Sequence, residues 1–126
     1  MKCLSLRQPF AELLATGKKT VELRNWNTNF RGEFIIHASR NIDGKACRRH
    51  GFEPEKLVTG AAIGKAKVTH VKMYMSKKGF TAERHKHLAG SGSFSKNTHG
   101  FSVNGARKFR KPIPMKGKLG FFEPDE

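Results

Sequence analysis

The sequence predicts a small mixed α+β or small-barrel domain, rich in short strands and carrying two or three short helices. Three observations predict it. The chain has 126 residues, which is room for one domain, residues 1–126, with a core that buries roughly two-thirds of the unfolded surface. Segments that alternate apolar and polar residues recur along it, the period-2 signature of strands with one buried face. Its 13 glycines and hydrophobic fraction of 37% suit many turns and not a helical bundle.

Lys2 to Leu6 alternates and reads as the first strand. Gln8-Pro9 then opens a helix, because proline fits the first helical turn, where its missing N–H costs nothing. Phe10, Leu13 and Leu14 fall on one face of that helix, and Gly17 ends it as a left-handed cap. Lys19 to Arg24 alternates again, with Val21 and Leu23 on one face and Thr20, Glu22 and Arg24 on the other. A polar connection bearing Trp26 and Phe30 leads to a strand over Glu33 to Ser39, and residues 43–51 suit a short helix carrying Arg48, Arg49 and His50. Gly60 to Tyr74 is the longest strand-like run; its small residues suit close approach to other backbone. Phe80 to Ala89 looks helical, Gly90-Ser91-Gly92-Ser93 is a flexible loop, and Thr98 to Val103 and Lys118 to Phe122 are the last strands. Pro112 and Pro114 keep the segment between those strands non-helical.

Charge is the strongest bulk signal: 25 Lys and Arg against 10 Asp and Glu give a formal net charge of +15. A field of that size attracts polyanions. Nucleic acid comes first, since neutralising phosphates releases condensed counterions. A solvated basic coat is the plainer alternative. No apolar run approaches the roughly 20 residues that span a bilayer, and no basic amphipathic helix of useful length is present, so no membrane partner is expected. The N-terminus lacks the apolar stretch of a signal peptide. Cys3 and Cys47 have no paired spacing and read as buried thiols of a cytoplasmic protein. His85-x-His87 has no third ligand at sensible spacing, so no metal is expected; with no Walker or Rossmann glycine pattern, no cofactor is expected either.

Gly17-Lys18-Lys19-Thr20-Val21-Glu22-Leu23-Arg24 carries the pattern GxKxxExR. It resembles the signature of the ASCH family. Cys3-Leu4-Ser5-Leu6-Arg7-Gln8-Pro9-Phe10 resembles the family's first strand and helix start, Phe30-Arg31-Gly32 through Ile36-His37-Ala38-Ser39 the strand after the motif, and Pro114 through Phe122 its closing P-x-K-G-x-x-G-x-F stretch. The four segments lie in the family's order at both ends of the chain; residues 40–99 offer little to match. The resemblance implies a PUA-like β-barrel with a cleft beside the motif strand, and a role in RNA binding, RNA modification or coactivator-type regulation. Small bacterial members are amidohydrolases that deacetylate 4-acetylcytidine, and a nuclease activity has been attributed within the family.

The residues themselves point to the same strand. Glu22 and Arg24, two apart on a strand, project from one face, and Lys19 stands at its entrance. In such a trio the carboxylate holds one cation and leaves the other for a phosphate or a polarised carbonyl; an ordinary strand-face ion network is the plainer reading. Lys19, Arg24 and Arg31 are the expected ligand contacts. Trp26 and Phe30 either stack a base or cap the core. From Lys77 to Lys111 nine Lys or Arg accompany one acid, Glu83, so Arg107, Lys108 and Arg110 are expected to track phosphates. The partner is then RNA, another single-stranded nucleic acid, or a nucleotide-like small molecule. If the protein is an amidohydrolase on 4-acetylcytidine or a related nucleoside, or a ribonuclease, the resemblance makes Lys19 its catalytic base or nucleophile. Against this, the hydrolases carry threonine where this chain has Glu22, and Glu83 is the one candidate for their remote glutamate. Pairing of Glu22 with Lys19 is expected, which keeps the lysine an ammonium. A protein-interaction module is a third open class.

Overall fold

The computed structural model describes residues 1–125. The elements run β1 (Cys3–Gln8), α1 (Phe10–Ala15), β2 (Val21–Arg24), β3 (Gly32–Ile42), α2 (Gly44–His50), a 3-10 turn (Pro54–Lys56), β4 (Ala61–Met73), α3 (Lys77–Ala82), α4 (Arg84–His87), a second 3-10 turn (Ser91–Ser93), β5 (His99–Pro114) and β6 (Phe121–Phe122). The strands form one six-stranded sheet in the order β2-β5-β4-β3-β1-β6. The β1–β3 pair is parallel and the others antiparallel. Fold class is therefore α+β, as expected.

The expected barrel is corrected in one respect: among the described residues no ladder joins the edge strands β2 and β6. The cause is local. Lys118 to Gly120 does not extend as a strand, and β6 is a two-residue pairing of Phe121 and Phe122 with Leu4 and Cys3. Side chains bridge the gap instead. Arg24 at the end of β2 donates from Nη2 to the Ser5 carbonyl on β1 at 2.6 Å, and Trp26 sets its ring edgewise on Phe121 with centroids 6.0 Å apart. The sheet curls far enough to bring its two ends within side-chain reach and stops short of backbone closure.

One core lies inside the curl. Leu4 and Leu6 from β1, Phe34 and Ile36 from β3, and Phe101 from β5 are fully or almost fully buried there, together with Leu14 of α1. Helix α1 plugs this core. The buried Gln8 side chain accepts from the Glu12 amide at 2.9 Å and donates to the Val58 carbonyl at 2.8 Å, satisfying one of the orphan donors at the helix start. The chain leaves the helix through Gly17 at φ +79°, a conformation glycine adopts without steric cost.

A second, smaller core lies under the excursion between β4 and β5. Tyr74, Phe80 and Ala89 are buried there, with Leu23 and Phe94 packed against them. The helix expected over Phe80 to Ala89 is two short ones, broken at Glu83 and ended by Leu88 in the left-handed region at φ 59°. Strand β5 is far longer than expected. Strand β2 pairs only with His99 to Ser102, so the rest of β5 has one free edge, where prolines and charged side chains are tolerated.

On the outer face of the sheet, Ser5 and His37 are direct register partners. The Ser5 hydroxyl bonds His37 Nδ1 at 2.7 Å while His37 Nε2 donates to the Met115 carbonyl at 2.8 Å, tying the chain after β5 onto the sheet. Only glycine fits at 117, because a methyl there would lie 2.5 Å from the Ser5 hydroxyl.

Candidate nucleic-acid interface

A cleft of about 440 Å³ opens beside β2. It is lined by Ser5 on β1, Phe10 at the start of α1, and Lys19, Glu22, Arg24 and Trp26 on and around β2. Arg49 on α2 and the segment after α4, through Ala89, Ser93, Ser95 and Thr98, complete the lining.

The turn after α1 delivers the lysine. The Lys19 amide donates back to the Leu13 carbonyl at 3.0 Å, and Thr20 is held on both sides, by the Lys86 carbonyl at 2.9 Å and the Val103 amide at 2.8 Å. The Lys19 side chain, 3% exposed, therefore runs inward. Its Nζ donates to the His87 carbonyl at 2.8 Å, lies 3.5 Å from Glu22 Oε1 and sits 5.1 Å from the centre of the Phe10 ring. The other Glu22 oxygen, Oε2, accepts from Arg24 Nε at 2.9 Å. Glu22 thus straddles both cations and holds the arginine more tightly, which corrects the expectation that it would pair mainly with the lysine. Burial pushes the Lys19 amine below the usual lysine value; Glu22 opposes that shift and Arg24 adds to it. Lys19 and Glu22 are buried and Arg24 is half-buried; a network of this kind is costly to break, because removing one partner strands the buried charge of another.

A sequence profile of the ASCH domain matches residues 4–112. The chain belongs to the ASCH family. Among solved structures it resembles the ASCH protein of Zymomonas mobilis at a TM-score of 0.65 with 17% identity, covering 90% of this chain and 72% of that one. Two substituted variants of the same Zymomonas protein match equally, at TM-score 0.65 and 17% identity over 90% of this chain, covering 72% and 74% of theirs. This likeness is one of fold. Comparison with curated protein sequences returned no match.

In this ASCH domain the cleft brings together Lys19, Glu22, Arg24 and Trp26. Trp26 is half-buried: it packs edgewise on Phe101, with centroids 5.2 Å apart, and carries the Arg24 guanidinium 5.9 Å from its ring centre while still lining the cleft. Phe30 packs on Phe121 instead, at 4.6 Å. Arg31 lies outside the cleft lining: it is exposed, and its guanidinium folds back on the Thr28 and Phe30 carbonyls. Glu83 lies outside it too, bonded to the Lys72 ammonium and to the Tyr74 hydroxyl at 2.7 Å. Those bonds, Lys72 first, hold its carboxyl below the usual carboxylate value. Arg107, Lys108 and Arg110 are exposed on β5 away from the cleft, and Lys108 is paired with Glu12 at 2.8 Å.

Neither ring nitrogen of His87 is free. Nε2 donates to the Phe80 carbonyl at 2.8 Å and Nδ1 accepts from the Ala89 amide at 3.0 Å. Among the described residues no group of three or more His, Cys, Asp or Glu side chains gathers as metal ligands, and no helix is long and apolar enough to cross a membrane. The residues that sequence reasoning missed are Arg49, Ser93, Ser95 and Thr98. Arg49 stood out only as a basic helix end and the serines as a flexible loop; their meeting depends on tertiary contact across some forty residues.

Proposed function

We propose that this ASCH domain is a nucleic-acid-binding module, with RNA as its ligand, and that the cleft beside β2 receives a nucleotide unit. One observation carries the reading: a basic, partly aromatic cleft of about 440 Å³ on a chain of net charge +15. Its volume falls within the range of small-ligand sites. Arg24 and Trp26 offer a guanidinium and a ring edge, and Lys19 with Glu22 offers a buried donor and acceptor pair for the polar edge of a base. Arg107 and Arg110 extend the charge along β5, outside the cleft, and attract the phosphate backbone without selecting sequence. In the test, binding of a single-stranded RNA is followed by fluorescence anisotropy across a salt series. The logarithm of the affinity should fall linearly with the logarithm of salt, with slope about 0.7 per phosphate neutralised. Absence of binding at low salt would overturn the reading.

A second reading has an observation of its own. Lys19 is buried, its amine is pushed toward the neutral form, and Glu22 leans toward Arg24. That is the environment in which a lysine acts as base or nucleophile, and it favours an amidohydrolase acting on an acetylated cytidine. Position 22 holds glutamate where the hydrolases carry threonine, and Glu83 lies outside the cleft lining; on those two departures binding is preferred.

A further inference from the structure

Four cations line the cleft, and three have a carboxylate beside them. Arg7 lies 3.9 Å from Asp43, and Lys19 and Arg24 share Glu22. Arg49 differs. Among the described residues it has no ion pair and no hydrogen-bond partner, and it is exposed on the last turn of α2. Its guanidinium lies beside the segment after α4: a methyl built on Gly90 would be 3.8 Å from Nη1. His50, the next residue, bonds the Leu88 carbonyl at 3.3 Å and holds α2 against that segment. Beyond Gly90 come Ser93, exposed on the cleft, and Ser95, whose hydroxyl bonds Thr98 at 3.1 Å.

We infer that Arg49, with the hydroxyls of Ser93 and Ser95, forms a phosphate subsite at the mouth of the cleft. A planar fork of donors that is not neutralised, on the same cleft lining as small hydroxyl donors, is the chemistry that holds a phosphate. The deeper cations are already committed to Glu22, so the phosphate stays at the mouth and the base lies toward Lys19, Glu22 and Trp26. The cleft then reads a nucleotide in a fixed direction. This deepens the function proposed above and rests on it.

The experiment is calorimetric titration of wild type, Arg49→Ala and Arg49→Lys with cytidine, cytidine 5′-monophosphate and a tetranucleotide RNA lacking terminal phosphates. Arg49 is exposed, so its replacement should leave the fold intact, which melting curves check. The phosphorylated ligands should bind wild type about tenfold more tightly than cytidine, the worth of one charge-assisted contact. Arg49→Ala should erase that advantage, bringing the phosphorylated ligands to the affinity the same variant has for cytidine, and Arg49→Lys should restore part of it. Dependence on Arg49 for the monophosphate alone assigns the subsite to a terminal phosphate; dependence for the tetranucleotide assigns it to a diester. Phosphorylated ligands that bind Arg49→Ala as they bind wild type would overturn the subsite and leave the cleft reading standing. Failure of wild type to bind any of the three would overturn both.

Discussion

Lys19 concentrates the chemistry of the molecule in one side chain. Its ammonium is taken from water, given one carbonyl at 2.8 Å and a carboxylate at 3.5 Å, and left with its charged form disfavoured. The sign of the Glu22 contribution is fixed, since a nearby carboxylate stabilises the ammonium and raises its pKa. Lys19 should therefore titrate below the surface lysines, and Glu22→Gln should move it lower still. Reductive 13C-methylation followed by NMR across pH reads both. Co-titration of Lys19 with the exposed lysines would contradict the account. The same variants separate the two functional readings. A binding module releases no cytidine from 4-acetylcytidine above background; turnover that rises with deprotonation of Lys19 and vanishes in Lys19→Ala would make the protein an amidohydrolase. The trio itself was legible from spacing alone, because a strand repeat of two places Glu22 and Arg24 on one face. How Glu22 divides itself between two cations was not, because that depends on where the His87 carbonyl and the Ser5 carbonyl arrive from distant parts of the chain.

At the scale of elements, the excursion between β4 and β5 behaves as a unit with its own small core and its own titrating groups. Glu83 is held below its ordinary value of 4.5 by Lys72 and Tyr74, and burial holds His87 below 6.5. Both shifts have the same consequence. A group whose folded pKa is depressed contributes stability above its unfolded pKa and loses it as pH falls. His87 should begin to cost stability below about pH 6.5 and Glu83 below about 4.5. Urea unfolding at a series of pH values should show stability falling in those two windows, with Glu83→Gln flattening the lower one. Stability that rises on acidification from pH 7 to 4 would contradict the assignment. Sequence reasoning found helical character here but ran it through residues 80–89 as one helix. The period is helical, whereas the break at Glu83 and the left-handed Leu88 follow from anchoring to Lys72, Tyr74 and His50. It likewise ended β5 early, because residues 104–114 are largely exposed and show no apolar alternation. What makes them a strand is the ladder to β4, and a ladder of backbone bonds leaves no mark on side-chain pattern.

Across the whole molecule, the ASCH family was legible because the first strand and the motif strand, both within the matched residues 4–112, carry its segments. The open edge of the sheet was not, since a barrel and a curled sheet place the same residues inside. The basic tract from Lys77 to Lys111, one run in sequence, is two regions in space. Its first half covers the excursion beside the cleft; Arg107 to Lys111 lies along β4 and β5. The net charge of +15 therefore draws a polyanion to the surface as a whole, while the cleft decides how it is held. The most direct test of that division is a 15N-HSQC titration of the protein with a short single-stranded RNA. The account predicts that the largest shifts fall on Ser5, on Lys19 through Trp26, on Arg49 and on residues 89–98, with smaller shifts on Arg107 to Lys111 that disappear as salt is raised. Shifts confined to Arg107 to Lys111, with the cleft residues unmoved at saturating RNA, would contradict it.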